Sequence, residues 1–194
     1  MIVRNEFDVT QPYFIHIPKT GGCSIEEWGY KNGYFWGAHL WAFIDAFGLR
    51  SEVPLQHIPM LFLYPPPKTF AVVREPVDRF LSEVNYRLQL KMGKMLKPRM
   101  HDYPLFLLYE FQKDPGYSAG HFIAQHEYLL PDTHIIKFEN GLDKELSEYL
   151  GKEVKLPRDN VTAWKVIKRK DLTSFTLDKL HELYAKDFKL WESL

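Results

Sequence analysis

Within six residues the chain sets a lysine, two glycines, a thiol and two hydroxyls, in the run Lys19-Thr20-Gly21-Gly22-Cys23-Ser24. Successive backbone N–H groups in a glycine-rich turn can aim at one point and hold an anion there, and a lysine adds a full positive charge. The chemistry open to this spacing is the binding and polarisation of a phosphate-like group. A second cation, Arg74, heads the run Arg74-Glu75-Pro76-Val77-Asp78-Arg79-Phe80-Leu81-Ser82. A guanidinium forks onto phosphate oxygens, and Ser82 offers a further hydroxyl donor. Together the two segments suit a ligand with two separated anionic groups.

The flanking residues predict how these groups are held. Four of the five residues from Tyr13 to Ile17 are β-branched or aromatic, which predicts a short buried strand ended by Pro18. Cys23-Ser24-Ile25-Glu26-Glu27-Trp28 then opens a helix, with Glu26 and Glu27 where the helix dipole favours acids. Thr69 to Val73 has strand character, and Pro76 fits the first turn of a helix. Val77, Phe80, Leu81, Val84 and Leu88 follow helical spacing along one face. Arg74 thus falls at the C-terminal end of a strand, where ligands bind in open α/β sheets.

Further along, a helix is expected within Pro104 to Gln112, before a turn at Asp114-Pro115-Gly116. A third strand is expected over Thr133 to Phe138 and a helix over Leu142 to Leu150. Thr176 is placed to cap a final helix whose Leu180, Leu183, Tyr184, Phe188 and Trp191 form one core-facing stripe. Strands alternating with helices predict an α/β class: one domain over residues 1–194, with a small parallel sheet flanked by helices.

Composition narrows the function classes. Lys+Arg and Asp+Glu are both 25, so no global basic field points to nucleic acid, and any attraction for anions is local. The single cysteine, Cys23, excludes an intrachain disulfide and fits a reducing compartment. No apolar run approaches the ~20 residues of a membrane span, and residues 1–12 lack a signal-peptide core. The expectation is a soluble, cytoplasmic protein with no membrane partner. Lys19 precedes its glycines, unlike the lysine of a Walker A loop, which argues against a nucleotide-dependent phosphotransferase.

Ile15-His16-Ile17-Pro18-Lys19-Thr20-Gly21-Gly22-Cys23-Ser24-Ile25 resembles the 5′-phosphosulfate loop of sulfotransferases that use 3′-phosphoadenosine 5′-phosphosulfate (PAPS). The branch in question contains heparan sulfate 2-O-sulfotransferase and many small bacterial carbohydrate sulfotransferases. The run from Phe70 to Ser82 resembles that family's 3′-phosphate motif, including the spacing from Arg74 to Ser82. The similarity continues, in order, through the runs His121 to Tyr128, Ile135 to Asn140 and Tyr184 to Phe188.

This resemblance implies a P-loop-like sulfotransferase fold, PAPS as donor co-substrate, no metal, and an acceptor hydroxyl on a carbohydrate or other small molecule. It implies that Lys19 meets charge on the bridging and leaving oxygens. The stretch Thr20, Gly21, Gly22, Cys23 and Ser24 would hold the 5′ group, and Arg74 and Ser82 the 3′-phosphate. Family members usually carry Thr or Ser where this chain has Cys23, so one side-chain contact is weakened. A cysteine at a helix start also admits a nucleophile reading, which sulfuryl transfer does not need. The eukaryotic relatives are membrane-anchored Golgi proteins, and here the chain departs from them.

An acceptor hydroxyl must lose its proton, and histidine is the side chain tuned for that near neutral pH. His57 lies 17 residues before Arg74, matching the family's catalytic histidine, although Leu55 stands where a paired histidine is usual. His39 is the second candidate and Glu52 a weaker one. His16 is expected to be a packed, hydrogen-bonded residue. His121, Gln125 and His126 are expected to be satisfied structural groups, with an acceptor cleft or metal pair as the other reading.

Three features keep two readings each. Arg79 is either a nucleotide contact or a helix-surface ion pair. Asn160 to Lys170, with Lys165, Lys168, Arg169 and Lys170, is either a solvated face or a loop over the nucleotide. Trp28, Tyr30, Tyr34, Phe35, Trp36 and Trp41 either stack on an acceptor or build core. A non-catalytic module that binds PAPS or a sulfated glycan is the remaining alternative for the whole chain.

Overall fold

Thr69 to Val73 is buried along its whole length, so the sequence TFAVV meets protein on both faces. In the computed structural model this strand, β4, is the middle of a three-stranded parallel sheet, between Tyr13–Ile15 (β1) and His134–Lys137 (β5). The structure describes residues 11–34, 36, 41–42, 53–54, 68–91, 102–158 and 165–194. In chain order its elements are β1 (Tyr13–Ile15), α1 (Gly22–Lys31), β2 (Trp41–Ala42), β3 (Val53–Pro54), β4 (Thr69–Val73), α2 (Pro76–Lys91), α3 (Tyr103–Lys113), β5 (His134–Lys137), α4 (Leu142–Leu150), α5 (Ser174–Leu183) and α6 (Ala185–Glu192). β2 and β3 form a separate antiparallel pair. The expected small parallel sheet flanked by helices is what the chain builds.

The period-2 alternation of the strands divides the core. Phe14, Phe70, Val72 and Ile136 point to one side, where Ile25 and Trp28 of α1 and Leu146 of α4 cover them. Ile15, Ala71 and Val73 point to the other, against Ile123 and Tyr128. A further layer of α2, α3 and α5 packs through Val77, Phe80, Leu81, Val84, Leu107 and Leu180. Each fully buried aliphatic or aromatic side chain contributes roughly 1.5–3 kcal/mol, which fixes the strand ends that carry Lys19 and Arg74.

Element boundaries follow the sequence reading, with three differences. Sheet pairing of β1 stops at Ile15, while His16 and Ile17 continue buried beneath the loop. The cap of α5 is Thr173, not Thr176: Thr173 Oγ1 accepts the N–H of Thr176 at 3.1 Å. The final stripe is also not one helix, because the chain breaks at Tyr184 (φ −108°, ψ 25°) before α6 begins. That break leaves Leu180 and Tyr184 in the core and turns the buried carboxylate of Asp187 inward. Among the described residues no helix is long and apolar enough to cross a membrane.

Candidate functional site

The loop after β1 is shaped by its own short-range contacts. Thr20 is buried and its hydroxyl donates to the Ile17 carbonyl at 2.8 Å, closing the turn after Pro18. Lys19 is left-handed (φ 70°), a backbone state uncommon for a residue with a Cβ. Gly21, at φ 89°, caps α1, and its carbonyl accepts from both Ser24 (3.1 Å) and Ile25 (3.3 Å). No described backbone carbonyl takes up the N–H groups of Gly22 and Cys23 at the helix start, and the Cys23 N–H lies against its own sulfur, which leaves the Gly22 N–H facing outward for an anion.

Gly22 sits on the His16 ring so closely that a Cβ would come within 2.5 Å of Nε2. His16 is in turn held by Glu26, Nδ1 to Oε1 at 2.6 Å, with both residues buried. Glu26 therefore supports the loop from below instead of sitting in the first helical turn. Cys23 is exposed. Partial desolvation of its sulfur, together with Glu26, pushes the thiol pKa up against the pull of Lys19, which disfavours a nucleophile.

Arg74 leaves β4 under tight backbone control. Gln125 clamps it from both sides, accepting the Arg74 N–H at 2.9 Å and donating to the Arg74 carbonyl at 2.8 Å. Asp187 fixes Gln125 in place: its carboxylate accepts the backbone N–H groups of Gln125 (2.7 Å) and His126 (2.9 Å), and lies 2.7 Å from His126 Nδ1. The Arg74 guanidinium lies over the Phe138 ring at 4.5 Å, and its Nη1 donates to the Lys19 carbonyl at 3.2 Å. This bond joins the two segments singled out in the sequence.

Arg74 Nε is buried with no hydrogen-bond partner among the described residues. A buried donor on a charged group without an acceptor fits a site that an anionic ligand completes. Burial lowers the Arg74 pKa against the support of Asp78, Glu139 and Glu75, and a guanidinium stays charged regardless.

Ser82 is half-buried, one turn from Tyr86 on the same face of α2, and Lys19 Nζ stands 4.0 Å over the Tyr86 ring. Arg79 is buried and makes no surface ion pair: its guanidinium donates to the Ile123 carbonyl (2.6 and 3.0 Å) and the His121 carbonyl (2.8 Å). It is a structural brace for the segment that carries Gln125.

Glu83, which the sequence reading did not single out, is fully buried at the centre of a charged cluster. Its Oε1 accepts from Arg87 Nε (2.6 Å) and Ser118 Oγ (3.3 Å). Its Oε2 lies 2.7 Å from His121 Nδ1 and 3.7 Å from Lys19 Nζ. Burial works against the charge on Glu83, but His121, Lys19 and Arg87 outweigh it and hold the carboxyl below the usual range. Burial also lowers the Lys19 pKa, with Glu83 the main group opposing it. The available sequence signal was a glutamate three residues after Phe80, at the edge of an apolar stripe and one turn before an arginine.

The late basic stretch reaches the same region. Ile167 is tied to Asn85 of α2 through both its N–H (2.9 Å) and its carbonyl (2.9 Å). Arg169 Nη1 then lies 3.3 Å from Glu75 Oε1, next in sequence to Arg74. Glu75 also caps α2 by accepting the Asp78 N–H at 2.7 Å, while its own N–H goes to Glu139 at 2.9 Å.

The aromatic region divides between the two readings. Trp28, Tyr34 and Trp36 stack on one another against the sheet and are core. Tyr30 is exposed. His57, His39, Glu52, Phe35, the Trp41 side chain and residues 160–164 lie outside the described residues. No group of three or more His, Cys, Asp or Glu that could hold a metal occurs among the described residues.

In comparisons with protein-family models, curated proteins and solved structures, nothing matched this chain. What stands is an α/β chain whose two cationic loops meet at the C-terminal ends of neighbouring parallel strands.

Proposed function

We propose that this chain is a sulfotransferase that moves a sulfuryl group from PAPS to an acceptor hydroxyl, on a carbohydrate or another small molecule, within a P-loop-like sulfotransferase fold. The observation that carries the reading is the bond from Arg74 Nη1 to the Lys19 carbonyl, with a buried Arg74 Nε still lacking an acceptor. Two cationic loops joined in this way suit the two anionic ends of one nucleotide.

In this reading PAPS supplies the activated sulfuryl group, and the chain positions the reactants and meets the charge that moves. The backbone of the stretch from Thr20 to Ser24, with the Gly22 N–H foremost, and the Ser24 hydroxyl hold the 5′ end. Arg74 and Ser82 hold the 3′-phosphate, with Arg169 close enough to add charge. Lys19 meets the charge that grows on the leaving oxygen. The family resemblance gives proton acceptance to His57.

The test is calorimetric titration with 3′-phosphoadenosine 5′-phosphate (PAP), AMP and ATP in metal-free buffer. The expected result is a preference for PAP over AMP that disappears in Arg74→Ala. A preference for ATP, or no binding of PAP, overturns the reading.

A further inference from the structure

We propose that Glu83 is the positioning residue of Lys19, a fixed buried carboxylate that sets where the ammonium stands; this rests on the sulfotransferase reading. The Lys19 side chain leaves a left-handed backbone and is 17% exposed. Its Nζ has two contacts among the described residues, Glu83 Oε2 at 3.7 Å and the Tyr86 ring at 4.0 Å. The contact to Glu83 is longer than the roughly 2.7–3.2 Å of an N–H···O bond. The ammonium is thus steered by a charge and a ring, while its N–H donors remain for the oxygens of a ligand.

Steering of this kind requires a carboxylate that stays in place. Glu83 is fully buried, and three groups pin its two oxygens. Arg87 Nε and Ser118 Oγ bind Oε1, and His121 Nδ1 lies against Oε2. Arg87 is one turn further along α2, whereas Ser118 and His121 belong to the segment after α3. That segment is anchored in turn, because Arg79 donates to the His121 carbonyl at 2.8 Å. Tyr86 stands three residues beyond Glu83, on the same face of the helix. One helix therefore supplies both the charge and the ring that receive Lys19.

The groups facing Lys19 come from every element around it. They are Glu83, Tyr86 and Arg87 on α2, Cys23 on α1, Arg74 after β4, and His121 through the shared oxygen. Burial lowers the Lys19 pKa; Glu83 opposes this most strongly and Cys23 adds to it, while Arg74 and Arg87 act with burial. A cation that meets charge on a leaving oxygen must keep its proton. Loss of the Glu83 charge therefore moves the deprotonation of Lys19 to lower pH.

The test follows PAPS turnover, PAP calorimetry and the titration of the Lys19 ammonium by nitrogen-15 NMR, all in the full chain. In Glu83→Gln, kcat should fall by about 10²-fold, the cost of about 1 Å of misplacement, while PAP affinity stays within about threefold. The basic limb of kcat/KM should move to lower pH, and the Lys19 titration with it. Arg87→Gln keeps the carboxylate and serves where Glu83→Gln does not fold. It loosens one tether and removes a repelling cation, so kcat should fall by less while the basic limb moves to higher pH. In the Lys19→Ala background, Glu83→Gln should change turnover by no more than about twofold, because nothing is left to position.

A loss from Glu83→Gln that is repeated in full in the Lys19→Ala background overturns the proposal and leaves Glu83 a structural group. So does an unmoved Lys19 titration in Glu83→Gln, or a loss of PAP binding in step with turnover. Absence of PAP binding by the wild type overturns the sulfotransferase reading itself. The Lys19 titration needs no nucleotide, so it decides whether Glu83 governs the ammonium in either case.

Discussion

The two loops that meet at the site are built on opposite principles. The Lys19 loop is held by contacts between near neighbours: Thr20 to Ile17, His16 to Glu26, and Ser24 and Ile25 to Gly21. Its form follows from glycine conformations and one buried contact between His16 and Glu26. Arg74, by contrast, is held by side chains far away in sequence, with Gln125 on its backbone and Glu139 on the N–H of the next residue. The first loop is a local structure that the fold merely receives. The second exists only once the tertiary structure does.

The largest separation between the loops should appear in Lys19→Ala. Turnover of PAPS should fall by about 10²–10³-fold, the cost of losing one preorganised donor, with little change in calorimetric affinity for PAP. Arg74→Ala should do the reverse. Loss of hydrogen bonds to a charged group is worth about 1.5–3 kcal/mol, so PAP binding should weaken by roughly 10- to 100-fold while AMP binding holds. Equal losses for PAP and AMP would erase the distinction between the loops.

Smaller changes test the supports. Gly22→Ala drives a methyl into the His16 ring, which Glu26 prevents from turning aside. About 1–3 kcal/mol should be lost in chemical denaturation, and PAP and AMP should weaken together. Gln125→Leu removes both bonds to the Arg74 backbone and should weaken PAP alone.

The smallest effect is electrostatic. Glu83 has a lowered pKa in the folded chain, so its contribution to stability is full above the unfolded carboxyl value of about 4.3. That contribution is lost as pH falls through the folded value. Thermal unfolding below about pH 4.3 should therefore be steeper in the wild type than in Glu83→Gln.

This contrast also explains what was legible in the sequence. The strand before Arg74 and the helix over Leu142–Leu150 carry their signal within a few residues and formed where the pattern placed them, while the strand before Lys19 formed at its expected start but stops pairing at Ile15. The break at Tyr184 did not show, because the apolar stripe continues through it while the reason for the turn, the buried Asp187, lies in what it binds. Arg79 read as either a nucleotide contact or a helix-surface ion pair, and is neither in the fold, since nothing nearby announces that its partners are carbonyls more than forty residues away. Glu83 was hidden for the same reason: its neighbours Lys19, Ser118 and His121 are assembled only by the fold.

Asp187 reaches Gln125 across 62 positions, and Gln125 reaches Arg74 across 51. Closing spans of that length costs chain entropy before any contact rewards it. The Lys19 loop, tied across three to ten positions, faces no such delay. A refolding chain should therefore gain its grip on AMP first, and learn to tell PAP from AMP only when the last helix docks.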